Sequence, residues 1–225
     1  MDRMRPSEGC DGSSTLPGST RDWYNTIMED QKRLTNLIYE AANVKRMLRT
    51  GWQRLGDNQE DVGEHSFMTA VIAYFLAKEI NNTGSVDRHV SMEKVLIMSI
   101  FHDFHEGRTG EMDKVAKLYM TRHEDKANID IFAGIDDELL MQLNEYESKK
   151  TLEAQVVYEA NVIAFGVECK ILMERGNTHA KEWMDANSLR VRLPESVALM
   201  TALAITDSQD WWKDIREAIH EEFAK

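Results

Sequence analysis

The stretch SIFHDFHEGRTGEM, residues 99–112, decides how the rest of the sequence is interpreted. It begins in the apolar run VLIMSIF and then places two histidines, an aspartate and a glutamate within five residues. Charged side chains are seldom buried unless they are paired or bound to a metal. An apolar helix that ends in His102, Asp103 and Glu106 therefore predicts a polar site in a pocket between helices.

The composition favours one all-α domain. The chain has 225 residues, of which 42 % are apolar, and it contains 13 Met, 12 Gly and only 3 Pro. This length suits one large domain, and the common residues are good helix formers. We predict a single-domain helical bundle over residues 21–225. Residues 1–20, rich in Gly, Ser and Pro, are predicted to be a disordered leader.

Charge and hydropathy restrict the partners of the protein. Its formal net charge is −12, and no block of Lys and Arg is present, so a nucleic-acid polymer is an unsuitable partner. A small phosphorylated ligand stays compatible, because a few local cations or a metal suffice to bind it. No apolar run reaches the roughly 18 residues that span a bilayer. The two cysteines, Cys10 and Cys169, lack metal-type spacing. We predict a cytoplasmic protein with no membrane partner.

Helical periodicity covers most of the remaining sequence. Apolar residues recur at helical spacing over residues 21–48, and a Gly-containing loop is predicted over residues 49–63. A second amphipathic helix is predicted from Glu64 to the polar turn at residues 81–85. Further helices are predicted over residues 91–100 with Ser91 as N-cap, from Gly110 to about residue 122, over 136–175, from Pro194 to 205, and around Trp211 and Trp212.

His65, His102 and Asp103 form a candidate metal site. His65 stands just inside one predicted helix, and His102 and Asp103 end the next. Two imidazoles and a carboxylate that meet at one point would suit Mn²⁺, Co²⁺, Fe²⁺, Ni²⁺ or Zn²⁺, with positions left for water and substrate. Spacing alone leaves an alternative open, in which these histidines are ordinary core residues with satisfied hydrogen bonds.

Three motifs at ordered separations extend this interpretation. They are RTGW (residues 49–52), EDVGEHSFMTA (residues 60–70) and SIFHDFHEGRTGEM. Together they make the sequence resemble the HD-domain metal-dependent phosphohydrolases, over about residues 21–175, and most of all their 5′-deoxynucleotidases. The resemblance implies an HD-type helical bundle and one divalent metal ion (Mn, Co, Fe, Ni, Zn or Mg). His65, His102 and Asp103 match three of the four ligands of that family.

The fourth ligand of the family, a later aspartate, is replaced here. Asn161 stands in its place, within LEAQVVYEANVIAFG. An amide oxygen can bind a hard metal but brings no charge, so metal affinity should fall. One interpretation is a weakened site with Asn161 as a neutral ligand, and the other is a polar network in a site that no longer binds metal. Asp207 is a substitute candidate outside the usual spacing.

Further site residues follow from the resemblance and from the positions of polar side chains along the predicted helices. Glu106, four residues after His102, would be the general acid or base, and Glu111 would help to hold the sugar. Arg108 and Thr109, placed before the helix predicted from Gly110, are candidates for phosphate binding at its N-terminus.

The RTGW loop supplies the remaining candidates for substrate binding. Arg49 or Arg54 would contact phosphate, and Trp52 would form a flat wall for the sugar or base, with a core anchor as its alternative. His105 and His123 would be the candidates for a second metal, but His123 lies in the polar segment TRHEDK, which is typical of a solvated surface, so we predict one metal ion.

These observations predict a metal-dependent phosphohydrolase that acts on a small nucleotide. The resemblance favours a 5′-deoxynucleotidase that converts deoxynucleoside 5′-monophosphates to deoxynucleoside and phosphate. One alternative is a nucleotide-binding or regulatory protein that lost catalysis when the last aspartate became Asn161. Another is a hydrolase of nucleoside triphosphates or of another small phosphate ester. A homodimer is left open.

Overall fold

The computed structural model of the protein describes residues 18–57, 60–83 and 88–224. The predicted all-α class is confirmed, because the described residues form ten α-helices and no strand. Of the predicted leader, residues 1–17 lie outside the described residues, and the domain limits stay predictions. The helices are α1 (Gly18–Val44), α2 (Val62–Asn82), α3 (Met92–Phe101), α4 (Glu106–Thr109), α5 (Glu124–Phe132), α6 (Asp137–Ser148), α7 (Leu152–Glu174), α8 (Ala180–Ser188), α9 (Pro194–Ile205) and α10 (Lys213–Phe223).

The described residues divide into two compact units, of which the first ends at Ile38 and the second begins at Tyr39. In the second unit α7 is central, because it packs against α2, α3, α6, α8 and α9. A helix covered by neighbours on most sides must be apolar all round, and eleven residues of α7 are buried. Its core partners include Leu76, Ile80 and Met98, which are also buried. No helix within the described ranges is both long enough and apolar enough to cross a bilayer.

Side-chain caps fix where the site-bearing helices begin. The carboxylate of Asp61 accepts a hydrogen bond from the backbone N–H of Glu64, and the carboxylate of Glu64 accepts one from the backbone N–H of Asp61. This pair of hydrogen bonds forms a capping box for α2. Ser91 caps α3 as predicted, and Thr151 caps α7. These starts set which turn of each helix carries the polar residues described below.

The connection between α1 and α2 folds back on itself. The backbone N–H of Val62 donates to Met47 O at 2.8 Å, and that of Arg49 donates to Glu60 O at 3.1 Å. A Cβ atom on Gly63 would lie 2.9 Å from the backbone oxygen of Lys45, so only glycine permits this approach. The pairing places Arg49 next to Glu60.

The helix predicted from Gly110 to about residue 122 is wrong. Gly110 has a φ of 76°, which ends the short α4, and the only helical turn among residues 111–122 is a 3₁₀ turn at Ala116–Leu118. The carboxylate of Asp113 accepts hydrogen bonds from the N–H groups of Val115 and Ala116 and so starts this turn instead of a helix.

Two helices had no counterpart in the prediction. Helix α5 begins with polar residues, so its apolar periodicity is weak. Its short buried face consists of Ala127, Asn128, Ile131 and Phe132. Helix α8 is also short, with three buried residues. Segments of about nine residues carry too few periodic positions to be recognised from spacing.

Candidate metal centre and adjoining cleft

His65, His102 and Asp103 meet at one point in the second unit. One nitrogen of each imidazole and one carboxylate oxygen all lie within 4.8 Å of one another. His65 lies in the first turn of α2, and His102 is the residue that ends α3. Both imidazoles are buried, whereas the Asp103 side chain is 17 % exposed and lines a cleft. The structure therefore brings together the three charged or imidazole side chains that the sequence nominated.

The surroundings of His102 show that a cation fits this point. Its Nδ1 atom donates to the backbone oxygen of Ser99 at 2.9 Å, so Nε2 carries the lone pair in the neutral ring. Nε2 is buried without a hydrogen-bond partner among the described residues and lies 3.2 Å from Oδ2 of Asp103. Burial opposes a charge on His102, but Asp103 and the Ser99 carbonyl outweigh it and raise its pKa. Two acceptors so close favour a proton or a metal ion as their shared partner.

His65 is held from behind by a carboxylate. Its Nδ1 atom lies 3.3 Å from Oε1 of Glu60, and Glu60 is itself bound by Nε of Arg49 at 3.1 Å and by the indole N–H of Trp52. Burial, and next the positive charge of Arg49, lower the pKa of His65. A neutral imidazole with its proton on the Glu60 side presents the Nε2 lone pair to the centre, as a metal ligand must.

Asn161 completes the ring of polar groups. Its Oδ1 atom lies 3.2 Å from Nε2 of His65, and its Nδ2 atom donates to the hydroxyl of Tyr146 at 3.2 Å. The amide oxygen thus faces the same imidazole atom that points into the centre. Asp207, the substitute candidate, is exposed and accepts a hydrogen bond from the N–H of Gln209, so the structure does not bring it to the centre.

Glu106 adjoins the centre with unusual electrostatics. Its carboxyl group is buried, Oε1 accepts from Arg122 at 3.1 Å, and Oε2 has no hydrogen-bond partner in the described parts of the chain. Burial, followed by repulsion from Asp103 and Glu111, raises the pKa of Glu106 to about 7, although Arg122 opposes the shift. A carboxyl group that titrates near neutral pH can both give and take a proton.

Arg122 was not predicted as a site residue, because its segment TRHEDK is typical of a solvated surface. Besides Glu106 it contacts Glu124 and the backbone oxygen of Gly110. Within the described residues, the group of side chains suited to a metal does not include His105 or His123. A second metal ion at those two histidines therefore has no support in their placement.

A cleft of about 440 Å³ opens beside these residues. Several sequence-predicted residues line it, namely Arg49, Arg54, Asp103, Glu106, Glu111 and Asn161. Thr50 anchors Glu111 there. The carboxylate of Glu111 accepts hydrogen bonds from the backbone N–H of Thr50 at 2.8 Å and from the Thr50 hydroxyl at 2.5 Å. The cleft combines these polar groups with the apolar side chains of Phe165 and Trp183.

Three predicted substrate contacts do not line this cleft. Trp52 is buried, and its ring stacks on Phe165 with centroids 4.5 Å apart. This placement supports the alternative prediction for Trp52, that it is a core anchor and not a wall for the substrate. Arg108 forms an ion pair with Glu40 at 2.6 Å, and the hydroxyl of Thr109 donates to the backbone oxygen of His105 at 3.2 Å. The helix N-terminus from which Arg108 and Thr109 were predicted to bind phosphate is absent from residues 110–115, so that contact stays a prediction without this structural basis.

The aromatic wall of the cleft comes instead from helices α7 and α8. Phe165 and Trp183 are half-buried, and their rings lie nearly parallel, with centroids 5.9 Å apart and planes 19° apart. The only sequence signal for Trp183 was a single tryptophan in the polar segment KEWMD, which spacing could not connect to the centre.

Comparison with known proteins identifies the family. The HD-domain family matches residues 41–193, which include every residue of the centre. This chain belongs to the HD-domain family. The match confirms the resemblance to HD-domain metal-dependent phosphohydrolases, and it supports a hydrolase with a divalent metal ion.

Similar proteins agree with this assignment. A protein of Vibrio vulnificus named 5′-deoxynucleotidase is 27 % identical over 152 residues, which are 61 % of this chain and 77 % of that protein. A protein of Pasteurella multocida, also named 5′-deoxynucleotidase, is 26 % identical over 133 residues, which are 55 % of this chain and 67 % of that protein. A solved structure from Pyrococcus horikoshii aligns with a TM-score of 0.65 and 25 % identity, over 76 % of this chain and 98 % of its own.

Proposed function

We propose that this protein is a metal-dependent 5′-deoxynucleotidase, which hydrolyses deoxynucleoside 5′-monophosphates to deoxynucleoside and phosphate. The observation that carries the proposal is the convergence of His65, His102 and Asp103 within 4.8 Å at the wall of a cleft that also contains Glu106. The names of the two relatives support the substrate class.

His65, His102 and Asp103 would hold one divalent ion, with the amide oxygen of Asn161 as a neutral fourth ligand. The donor set of two imidazoles, one carboxylate and one amide suits Mn²⁺, Co²⁺, Fe²⁺, Ni²⁺ or Zn²⁺, with Mg²⁺ less well matched to imidazole. When bound, such an ion polarises a phosphoryl oxygen and makes water more acidic.

Arg49 would orient the phosphate. Its guanidinium is fixed by Glu60 at 3.1 Å and lies 3.5 Å from Asp103, so it enters the cleft beside the centre with little freedom. A guanidinium can bind two oxygens of a phosphate at once and so present the phosphorus in one orientation. Arg54, the other candidate, donates from Nε and NH2 to the carboxylate of Asp113 and is less available.

Glu106 would move the proton during hydrolysis. Its Oε2 atom, which has no hydrogen-bond partner in the described residues, would take a proton from the attacking water. The same carboxyl group would then return that proton to the departing 5′ oxygen of the sugar. A pKa of about 7 makes both transfers accessible near neutral pH. Glu111, held by Thr50, would face the sugar, and Phe165 with Trp183 would stack on the base.

One observation favours a second candidate function. Asn161 supplies no charge where the family carries an aspartate, and its amide already bonds Tyr146 and approaches His65. A site weakened in this way would suit a nucleotide-binding or regulatory protein without turnover. The two functions differ in whether phosphate is released at any metal concentration.

The deciding experiment measures phosphate release from a panel of 5′-deoxynucleotides, 5′-ribonucleotides and nucleoside triphosphates. Each is tested with Mn²⁺, Co²⁺ or Mg²⁺ and with EDTA, and products are identified as phosphate or triphosphate. Glu106→Gln is the control for contaminating phosphatases. Metal-dependent release of phosphate from deoxynucleoside monophosphates that disappears in Glu106→Gln supports the proposal. Absence of release with every metal, together with retained nucleotide binding, favours the binding protein.

A further inference from the structure

The cleft contains an unneutralised positive cluster that the proposed reaction does not use. Five cationic side chains line the cleft, namely Arg49, Arg54, Lys114, Lys117 and Arg190. Arg49 and Arg54 are paired with carboxylates. Lys114, Lys117 and Arg190 form no ion pair with a carboxylate of the described chain. In a protein with a net charge of −12, an unpaired positive cluster calls for an explanation.

The three cations act on one another. Desolvation at the cleft wall, followed by repulsion from Arg190 and Lys117, lowers the pKa of Lys114. Lys114 and Lys117 flank the start of the 3₁₀ turn at Ala116–Leu118, whose backbone is capped by Asp113. Like charges held together in a folded chain are unfavourable unless a ligand of opposite charge neutralises them.

Arg190 is fixed in place by neutral partners. Its Nε atom donates to the hydroxyl of Tyr158 at 3.1 Å, and its NH1 atom donates to Oδ1 of Asn187 at 2.8 Å. The guanidinium also lies over the ring of Tyr158, 5.3 Å from its centroid. These contacts orient the guanidinium but leave its charge uncompensated, as an anion-binding group requires.

Within the described residues, the acidic groups of the cleft form no ion pair with these three cations. Asp103, Glu106 and Asp113 are paired with His102, Arg122 and Arg54. Glu111 is held by the backbone N–H and hydroxyl of Thr50. The fifth, Glu182, is exposed and forms no ion pair among the described residues.

We propose that Lys114, Lys117 and Arg190 form a second anion-binding site in the cleft, which takes a second phosphate group of the same nucleotide. The inference rests on the proposed function for the position of the first phosphate, at the metal centre beside Arg49. The cleft would then accept monophosphates at the first position and bind a nucleotide with two phosphates more tightly. The second phosphate is either attached to the first, as in a 5′-diphosphate, or carried at the far side of the sugar, as in a 3′,5′-bisphosphate.

Equilibrium binding tests this proposal without turnover. In a Glu106→Gln background, dissociation constants are measured by calorimetry for deoxyadenosine 5′-monophosphate, 5′-diphosphate and 3′,5′-bisphosphate in the presence of Mn²⁺. We expect at least one doubly phosphorylated ligand to bind about tenfold more tightly than the monophosphate, the size of one charge-assisted contact. Which one it is distinguishes the two positions of the second phosphate.

Lys114→Ala combined with Lys117→Ala should abolish this preference while it changes monophosphate binding by less than about twofold. Both lysines are exposed, so the double variant should fold, and Lys150→Ala, at an exposed lysine outside the cleft, is the matched control. Equal binding of all three ligands, or a preference that survives the double variant, would overturn the proposal. A protein that prefers two phosphates but releases none from any nucleotide would overturn the proposed function and leave this inference standing.

Discussion

The carboxylate of Glu60 lies 3.3 Å from Nδ1 of His65, on the side of the ring that faces away from the metal centre. Burial opposes a charge on Glu60, but His65 and Arg49 outweigh it and lower the pKa of this carboxyl. A charged Glu60 holds the imidazole proton at Nδ1 and frees Nε2. The orientation of the first histidine is therefore set by a residue that does not touch the centre itself.

Glu60→Gln should weaken metal binding by about 10- to 100-fold, as is typical when such a partner of a ligating histidine is lost. The side-chain amide introduced at position 60 would still fit, but without a negative charge it would no longer favour the proton at Nδ1 of His65. Calorimetric titration with Mn²⁺ measures the change directly, without reference to activity. Glu79→Gln, at an exposed position of α2, is the matched control. Unchanged affinity in Glu60→Gln would show that His65 is oriented by packing alone.

Asn161→Asp should strengthen Mn²⁺ binding by about tenfold or more, because the number of charged ligands sets the affinity of such sites. The gain follows from the position of Oδ1, 3.2 Å from Nε2 of His65. The same titration checks it, with Asn161→Leu expected to bind more weakly than the natural protein. Equal affinity in all three proteins would mean that this side chain points away from the ion.

Glu106 should impose a pH dependence on the stability of the metal-free protein. Its pKa of about 7 in the folded state exceeds the value of 4.5 in the unfolded chain, so the folded protein binds its proton more tightly. The resulting stabilisation is complete below about pH 4.5 and is lost as the pH rises to about 7. Its upper limit is about 3 kcal/mol, from 1.36 kcal/mol per pKa unit.

Urea unfolding in EDTA, at several pH values between 4.5 and 7.5, measures this contribution. The natural protein should lose stability with rising pH relative to Glu106→Gln, in which that group cannot ionise. A constant difference between the two proteins across this range would contradict the raised pKa.

Gly107→Ala should destabilise the protein by about 1–3 kcal/mol, the usual cost of an overpacked contact. A Cβ atom at this position would lie 2.6 Å from Cγ2 of Val44 at the end of α1. Because Gly107 follows Glu106 directly, the strain should also reduce activity. Val44→Ala removes the clashing methyl group, and the double variant should recover much of the loss. The absence of such coupling in a double-mutant cycle would show that the backbone relaxes instead.

The long helices were predictable because their signals are local. The apolar stripe of α2, the Ser91 cap of α3 and Pro194 at the start of α9 each act within one or two turns. The segment after Gly110 was predicted wrongly, because its conformation depends on remote partners. Arg54 holds Asp113, and Thr50 holds Glu111, across about sixty residues of sequence.

The all-α class, the HD-domain family and the three side chains nominated for the centre were all predicted without the structure, since the ordered motifs around His65 and His102 carry this information locally. The residues that support these three side chains could not be predicted in this way. Glu60 behind His65, Arg122 against Glu106, and the wall of Phe165 and Trp183 all depend on contacts between distant segments. Spacing within one helix reports which residues share a face. It cannot report which faces meet, because that is set by packing of the whole core.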